Sequence, residues 1–316
     1  MSLALPLRFG ALTFQVLRYE DLRDDVRFLE QAGFDAAWLA DQIVPVELPV
    51  MEAWTTLAAL AANTERIRLG TLVTNVAMRN PAMVARQANT VDQVSGGRLE
   101  LGIGAGYFED EHRWLGIDYL DGRGRVDRLI EAAEILDEAL RGGRVTYSGT
   151  HFRLDDAPTS PPPVQQPRPP LWIAARAPRS LRVAVRLADG VAAFGDHGLV
   201  TEESVAAFRK LVDQIQEACA AAGRDPRTLR IVYLAGFADE RPFASTDAAT
   251  DFIGRFAEAG ATDFAFTMYN PAQPGMADGA AAGRYAGREQ LEQLAADVLP
   301  RLRLPTRGEP PVETRA

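Results

Sequence analysis

Eight short apolar runs alternate with eight stretches of helical periodicity between residues 7 and 301, and few folds accept that order. Apolar runs bounded by turn residues read as buried strands, and apolar positions three and four apart read as helices. The first pair covers 7–13 and 19–32, where Leu22, Val26 and Leu29 share one face and Gly33 stops the helix. Strands at 35–41, 67–75 and 98–106 come after it, separated by helices at 52–63 and 82–94, and a helix at 123–141 comes next. Strands at 171–175, 190–195, 229–237 and 263–269 complete the set, with helices near 179–188, 203–222, 247–259 and 288–301. Such alternation predicts a parallel sheet covered by helices. A closed α/β barrel of the (β/α)8 TIM type needs about 250 residues and tolerates insertions, so residues 1–303 are expected to form one barrel domain. An open doubly wound sheet satisfies the same alternation.

The rhythm breaks once. Residues 145–154 read as a hairpin turning near Gly149, and Pro158, Pro161, Pro162, Pro163, Pro167, Pro169 and Pro170 make the next connection extended and stiff. Residues 144–170 are therefore expected outside the regular repeat, as a hairpin and Pro-rich insertion after the fourth repeat. The polar stretch 304–316 is expected to be a mobile tail.

Composition excludes several chemistries. A formal charge of −9 argues against nucleic acid or an anionic membrane surface as a partner. Lys210 is the only lysine and sits within a helical stretch, which disfavours Schiff-base catalysis. Cys219 is the only cysteine, so an internal disulfide and a multi-thiolate metal site are excluded. No apolar stretch reaches the roughly 18 residues needed to span a bilayer, and no secretory signal is evident, so a cytoplasmic location is expected.

By the fourth strand the chain resembles the bacterial luciferase-like superfamily, most closely its deazaflavin-dependent oxidoreductase members. Four stretches carry the resemblance: Trp38-Leu39-Ala40-Asp41-Gln42, Gly70-Thr71-Leu72-Val73-Thr74-Asn75, Arg79-Asn80-Pro81 leading into Ser95 to Tyr107, and Pro170 to Ala175 followed by Ala188-Asp189-Gly190. Each alone is weak; their order and spacing are the signal. The resemblance implies a flavin or deazaflavin cofactor, coenzyme F420 before FMN, and a homodimer.

Barrel enzymes place their chemistry on loops after the C-terminal ends of the strands. Asp41, Thr74, Asn75, Tyr107, Arg176 and His197 all fall there, on five strands. Asp41 is read as a polar group near the cofactor ring, or else as a helix cap or loop ion pair. In the family a histidine often follows this aspartate; here it is Gln42, which cannot titrate near neutral pH. Family members also carry a non-proline cis peptide on the third strand, which by motif would join Leu72 and Val73. Gly102, Gly104 and Gly106, with Ala105 and Tyr107 beside them, read either as clearance for a flat ring or as tight barrel packing. Ala174-Ala175-Arg176-Ala177 leads into a helix whose free N–H groups suit a phosphate, with Arg176 adding a charge-assisted bond, or else is a plain helix start.

Three histidines remain for proton transfer. His151 reads as surface polarity, His112 as a candidate among Glu109, Asp110 and Glu111, and His197 as the best placed. Their separation speaks against a metal hydrolase site. The expected activity is hydride transfer between F420 and a small organic substrate. One rival is FMN-dependent monooxygenation with O2 and a partner flavin reductase. The other is a flavin-binding barrel without chemistry, for which Gln42 is the main support.

Overall fold

The structure is a computed structural model that describes residues 5–16, 18–43, 50–196, 198–271 and 276–302. Eight parallel strands close into a barrel in the order β1-β10-β9-β8-β7-β4-β3-β2. These are β1 (Arg8–Thr13), β2 (Ala36–Asp41), β3 (Arg68–Asn75), β4 (Leu99–Gly104), β7 (Leu171–Ala174), β8 (Gly190–Phe194), β9 (Arg230–Ala235) and β10 (Asp263–Thr267). Between them run α1 (Tyr19–Gln31), α2 (Ala53–Ala61), α3 (Pro81–Ser95), α5 (Gly122–Ala139), α6 (Pro178–Leu187), α7 (Thr201–Ala222) and α8 (Thr246–Glu258). The alternative of an open sheet is excluded by the pairing of β1 with β10, which runs from Arg8 opposite Asp263 to Leu12 opposite Thr267.

Local sequence explains the boundaries. The α3 helix starts where Asn80 Oδ1 accepts from Ala82 N–H at 2.9 Å and Pro81 takes the first helical position, and it ends at left-handed Gly96. Leu22, Val26 and Leu29 of α1 are buried as their spacing predicts. The last helical stretch is less regular than its periodicity implies: α10 (Arg288–Gln293) passes through a π-helical turn, Leu294–Val298, into α11 (Leu299–Leu302). Two short helices were not legible, α4 (Glu109–Trp114) and α9 (Met276–Ala281), because six residues give too little periodicity to recognise.

The hairpin is β5 (Arg144–Ser148) with β6 (Arg153–Pro158), antiparallel and separate from the barrel sheet. The proline segment after it is fastened to α3. Asp92 accepts from Val164 N–H at 2.7 Å, Gln165 N–H at 3.0 Å and Gln165 Nε2 at 2.7 Å. The stretch 304–316, expected as a tail, lies outside the described residues.

One apolar layer packs between strands and helices, and a second fills the barrel, where Trp38 and Trp172 meet edge to face at 5.9 Å. Ions close the base. Fully buried Glu100 accepts two bonds from Arg8 at 2.8 and 3.0 Å, one from Trp172 Nε1 at 2.7 Å and one from Arg68. Asp263 takes Arg8 at 2.6 Å and Arg230 at 2.7 Å. Burial alone would push the Glu100 carboxyl up; Arg8 and Arg68 outweigh it and hold it below its ordinary range. With the base committed to structure, the opposite end is left for chemistry. Among the described residues, no helix is long and apolar enough to cross a membrane.

Candidate active site

At the C-terminal ends of the strands the barrel opens into a cavity of about 350 Å³, within the roughly 300–1,000 Å³ range of small-molecule sites. Its walls are mostly apolar: Leu12 on β1 and Phe14 just after it, Leu72 and Val73 on β3, Ala192 and Phe194 on β8, Leu234 and Phe237 around β9. Polar groups on the wall are few, and each has a distinct environment.

The β3 wall is irregular. The Leu72–Val73 peptide is cis, as the resemblance implies, and the register against β4 shifts between Thr71 and Thr74. This bulge explains the glycines opposite. A Cβ at Gly102 would lie 2.2 Å from the Thr71 carbonyl oxygen, so that glycine serves close strand packing and not ring clearance. Gly106 does line the cavity; it adopts φ +73°, and a Cβ there would come within 2.5 Å of the Asn75 amide. Asn75 itself is buried and oriented: its Oδ1 accepts from Ala77 N–H at 3.0 Å, and among the described residues its Nδ2 has no partner. A donor is thus left on the cavity wall.

Asp41 lines the cavity but does not present an uncompensated charge. Arg79 clasps it with two bonds, at 2.6 and 3.0 Å, and also reaches Glu52 at 2.6 Å. Burial raises the Asp41 carboxyl above its ordinary range, and Arg79 pulls it part of the way back. The ion pair of one reading is present, and the same carboxylate lines the cavity, where the other reading expects it. Gln42, next in the chain, lines the cavity at its edge.

The β7 end supplies Ala174, Ala175, Arg176 and Ala177, all on the wall, before α6 begins at Pro178. No side chain caps α6, so its first N–H groups stand at the cavity edge. Arg176 is the single cation among the described lining residues. It donates two bonds to Asp196, at 2.6 and 3.0 Å, and lies over the Phe194 ring at 5.4 Å.

Of the expected site residues, Asp41, Gln42, Leu72, Val73, Asn75, Ala105, Gly106, Tyr107 and Ala174 to Ala177 come together around this one cavity. Thr74 does not line it; its hydroxyl is buried in the barrel wall, 3.0 Å from Thr71 Oγ1. His112 does not line it either. Expected as a catalytic candidate or a solvated residue, it is buried, with Nδ1 2.8 Å from the Phe108 carbonyl and its ring edge-on to Tyr119. His197 lies outside the described residues. Tyr107 is 61% exposed at the mouth, its ring tilted against Phe108 with centroids 4.1 Å apart. Partial desolvation, followed by the charge of Glu111, raises the pKa of its hydroxyl.

Sequence reasoning missed Glu111. This buried carboxylate lines the cavity and accepts from Ile43 N–H at 2.6 Å, tying α4 to the loop that carries Gln42. The acidic run Glu109–Asp110–Glu111 directly after a barrel strand was the available signal. Among the described residues no group of three or more His, Cys, Asp or Glu is placed to hold a metal ion. A second depression, of about 550 Å³, lies at the barrel base. Its arginines are committed to structure: Arg168 bonds Asp137 and Asp189, and Arg224 bonds the Val185 and Ala188 carbonyls.

A closed parallel barrel whose apolar, polar-tipped slot opens at the C-terminal ends of its strands has the layout of barrel enzymes. The model of the luciferase-like monooxygenase family matches residues 2–303, and the chain belongs to that family. It is 33% identical over 231 residues to an F420-dependent glucose-6-phosphate dehydrogenase of Microbacterium testaceum, covering 70% of this chain and 65% of that protein. Matches to other curated relatives span 41% and 54% of the relatives' own length. Among solved structures, an F420-dependent secondary alcohol dehydrogenase in complex with an F420-acetone adduct superposes with TM-score 0.76 at 18% identity, over 95% of this chain and 100% of that one. A monooxygenase from Streptomyces bottropensis does so with TM-score 0.72 at 20% identity, over 93% and 99%. At these identities the two structures speak for the fold alone.

Proposed function

We propose that this chain is an oxidoreductase that transfers a hydride between coenzyme F420 and a small organic substrate. The observation that carries this reading is the polarity of the cavity. Among the described residues, a slot with apolar walls holds the buried amide donor of Asn75 and a single cation, Arg176, at the uncapped start of α6. Such a slot fits a flat ring system with a phosphate-bearing tail. F420 dependence stands in the names of the Microbacterium testaceum relative and of the solved secondary alcohol dehydrogenase.

When bound, the cofactor supplies the carbon that gives or takes the hydride. The chain's own residues bind and orient. Leu72, Val73, Ala105 and Gly106 would flank the ring, and Asn75 Nδ2 would donate to one of its acceptors. Arg176, with the α6 N-terminus, would hold the phosphate. Gln42 would orient substrate through its amide and contribute no kinetic pKa, on a loop held by Glu111 and beside the Asp41–Arg79 pair. His197 is proposed to handle protons because of its place after β8. A cytoplasmic location and a homodimer belong to the same reading. The dimer is supported by exposed Met83 and Val94, which lie eleven residues apart on one outer face of α3.

Arg176→Ala tests the phosphate end. A charged hydrogen bond contributes about 1.5–3 kcal/mol, but Arg176 must leave Asp196 to make it, so the net loss is expected to be about 1 kcal/mol, or roughly five-fold in Kd. F420 should be affected and its phosphate-free deazariboflavin core should not. Equal weakening of both would refute the assignment.

A further inference from the structure

We infer that Asp196 is a built-in competitor at the anion-binding end of the cavity, holding Arg176 until a phosphate displaces it. The inference rests on the proposed cofactor reading and adds to it what sets selectivity for the phosphorylated form. Arg176 follows β7 and Asp196 follows β8, so neighbouring strands bring them together at the mouth. Two parallel bonds, from Nη1 at 2.6 Å and Nη2 at 3.0 Å, use the fork that would otherwise face an incoming anion.

The pair is placed to exchange partners. Arg176 is 44% exposed and Asp196 57%, so solvent screens their attraction; pairs of this kind contribute about 0.2–1 kcal/mol. A tail phosphate, a monoester of about −1.5 to −2 in FMN and a diester of about −1 in F420, is drawn in addition by the free N–H groups at the uncapped start of α6. It can therefore take the guanidinium, whereas a neutral tail leaves the ion pair intact. The arginine stays at the cavity during the exchange because its plane rests on Phe194, which packs on Phe237 at 5.3 Å. The backbone just before Asp196 is closely packed. A Cβ on Gly195 would lie 2.7 Å from the Tyr233 hydroxyl, which donates to buried Glu240.

The test is a set of fluorescence titrations of the full chain with FMN and riboflavin, and with F420 and its phosphate-free deazariboflavin core. Asp196→Asn should tighten the phosphorylated forms about two- to five-fold and leave the phosphate-free forms within 1.5-fold, the range that the ion pair's strength allows. Asp196→Ala should do the same. In an Arg176→Ala background neither change should have any effect, since the cation competed for is gone. Wild-type chain that prefers phosphorylated ligands, with a preference unmoved in both Asp196 variants, would overturn the inference and leave the cofactor reading standing. Equal weakening of all four ligands would overturn it as well. Wild-type chain that binds none of the four would bring down the cofactor reading, and the inference with it.

Discussion

Replacing Asn75 with alanine separates a residue that serves the ligand from one that serves the fold. In the free chain its amide makes one described bond, Oδ1 accepting from Ala77 N–H at 3.0 Å, while Nδ2 has no described partner. Loss of that one neutral bond costs about 0.5–1.5 kcal/mol. The truncated volume opens onto the existing cavity and so adds little of the void cost that large-to-small changes carry in a closed core. For a chain of this size that corresponds to a fall in Tm of roughly 1–4 °C. If Nδ2 donates to the cofactor ring, the variant also loses a second neutral bond, about 0.5–1.5 kcal/mol, on the ligand side. Kd should then rise about 2- to 13-fold. Because Asn75 stands on β3, two strands away from Arg176, the loss should be equal for F420 and its phosphate-free core. Thermal melts of the free chain and parallel titrations with both ligands measure all three quantities. An unchanged Kd, a loss confined to the phosphorylated form, or a Tm fall beyond 10 °C would refute the reasoning.

Two further outcomes concern buried charges. Glu100→Ala should destabilise the chain by about 3–5 kcal/mol, since it leaves Arg68 and Trp172 Nε1 without this acceptor and Arg8 with Asp263 alone. Denaturant unfolding that shows less than about 1 kcal/mol would contradict the account of the barrel base. Burial raises the Glu240 carboxyl above its ordinary range, and the bond from Tyr233 only partly lowers it again. The folded chain then binds that proton more tightly than the unfolded one. Its contribution is full below the unfolded value near pH 4 and is lost as pH rises through the raised one. Glu240→Gln should therefore gain Tm relative to wild type as pH rises above about 4; a difference that does not change with pH would count against it.

How far the sequence reaches depends on the range of the interaction. The alternation that predicts the barrel is local, and strand positions agree to within a residue or two: 7–13 against Arg8–Thr13, and 35–41 against Ala36–Asp41. Motif order placed the cis peptide at Leu72–Val73 and most of the cavity wall. Partners distant in the chain were not legible. Arg79 meets Asp41 across 38 residues, Arg176 meets Asp196 across 20, and Glu111 reaches Ile43 across 68; no periodicity or local spacing encodes such pairs. His112 failed as a lining residue for a related reason, because α4 is too short for its buried face to be read from sequence. Sequence leaves Gly102 open between ring clearance and tight packing, and the Thr71 carbonyl close opposite it decides for packing.

The most direct test of hydride transfer is an anaerobic assay. Purified chain is given reduced F420 and a panel of small carbonyl and alkene acceptors, and the return of the oxidised cofactor's absorbance is recorded. In a parallel vessel, reduced FMN and oxygen replace F420, with oxygen uptake measured. The proposed function predicts acceptor-dependent oxidation of F420 without oxygen, and no substrate-dependent oxygen uptake with FMN. Substrate-dependent oxygen consumption with reduced FMN, and none of the acceptors turned over with F420, would contradict it.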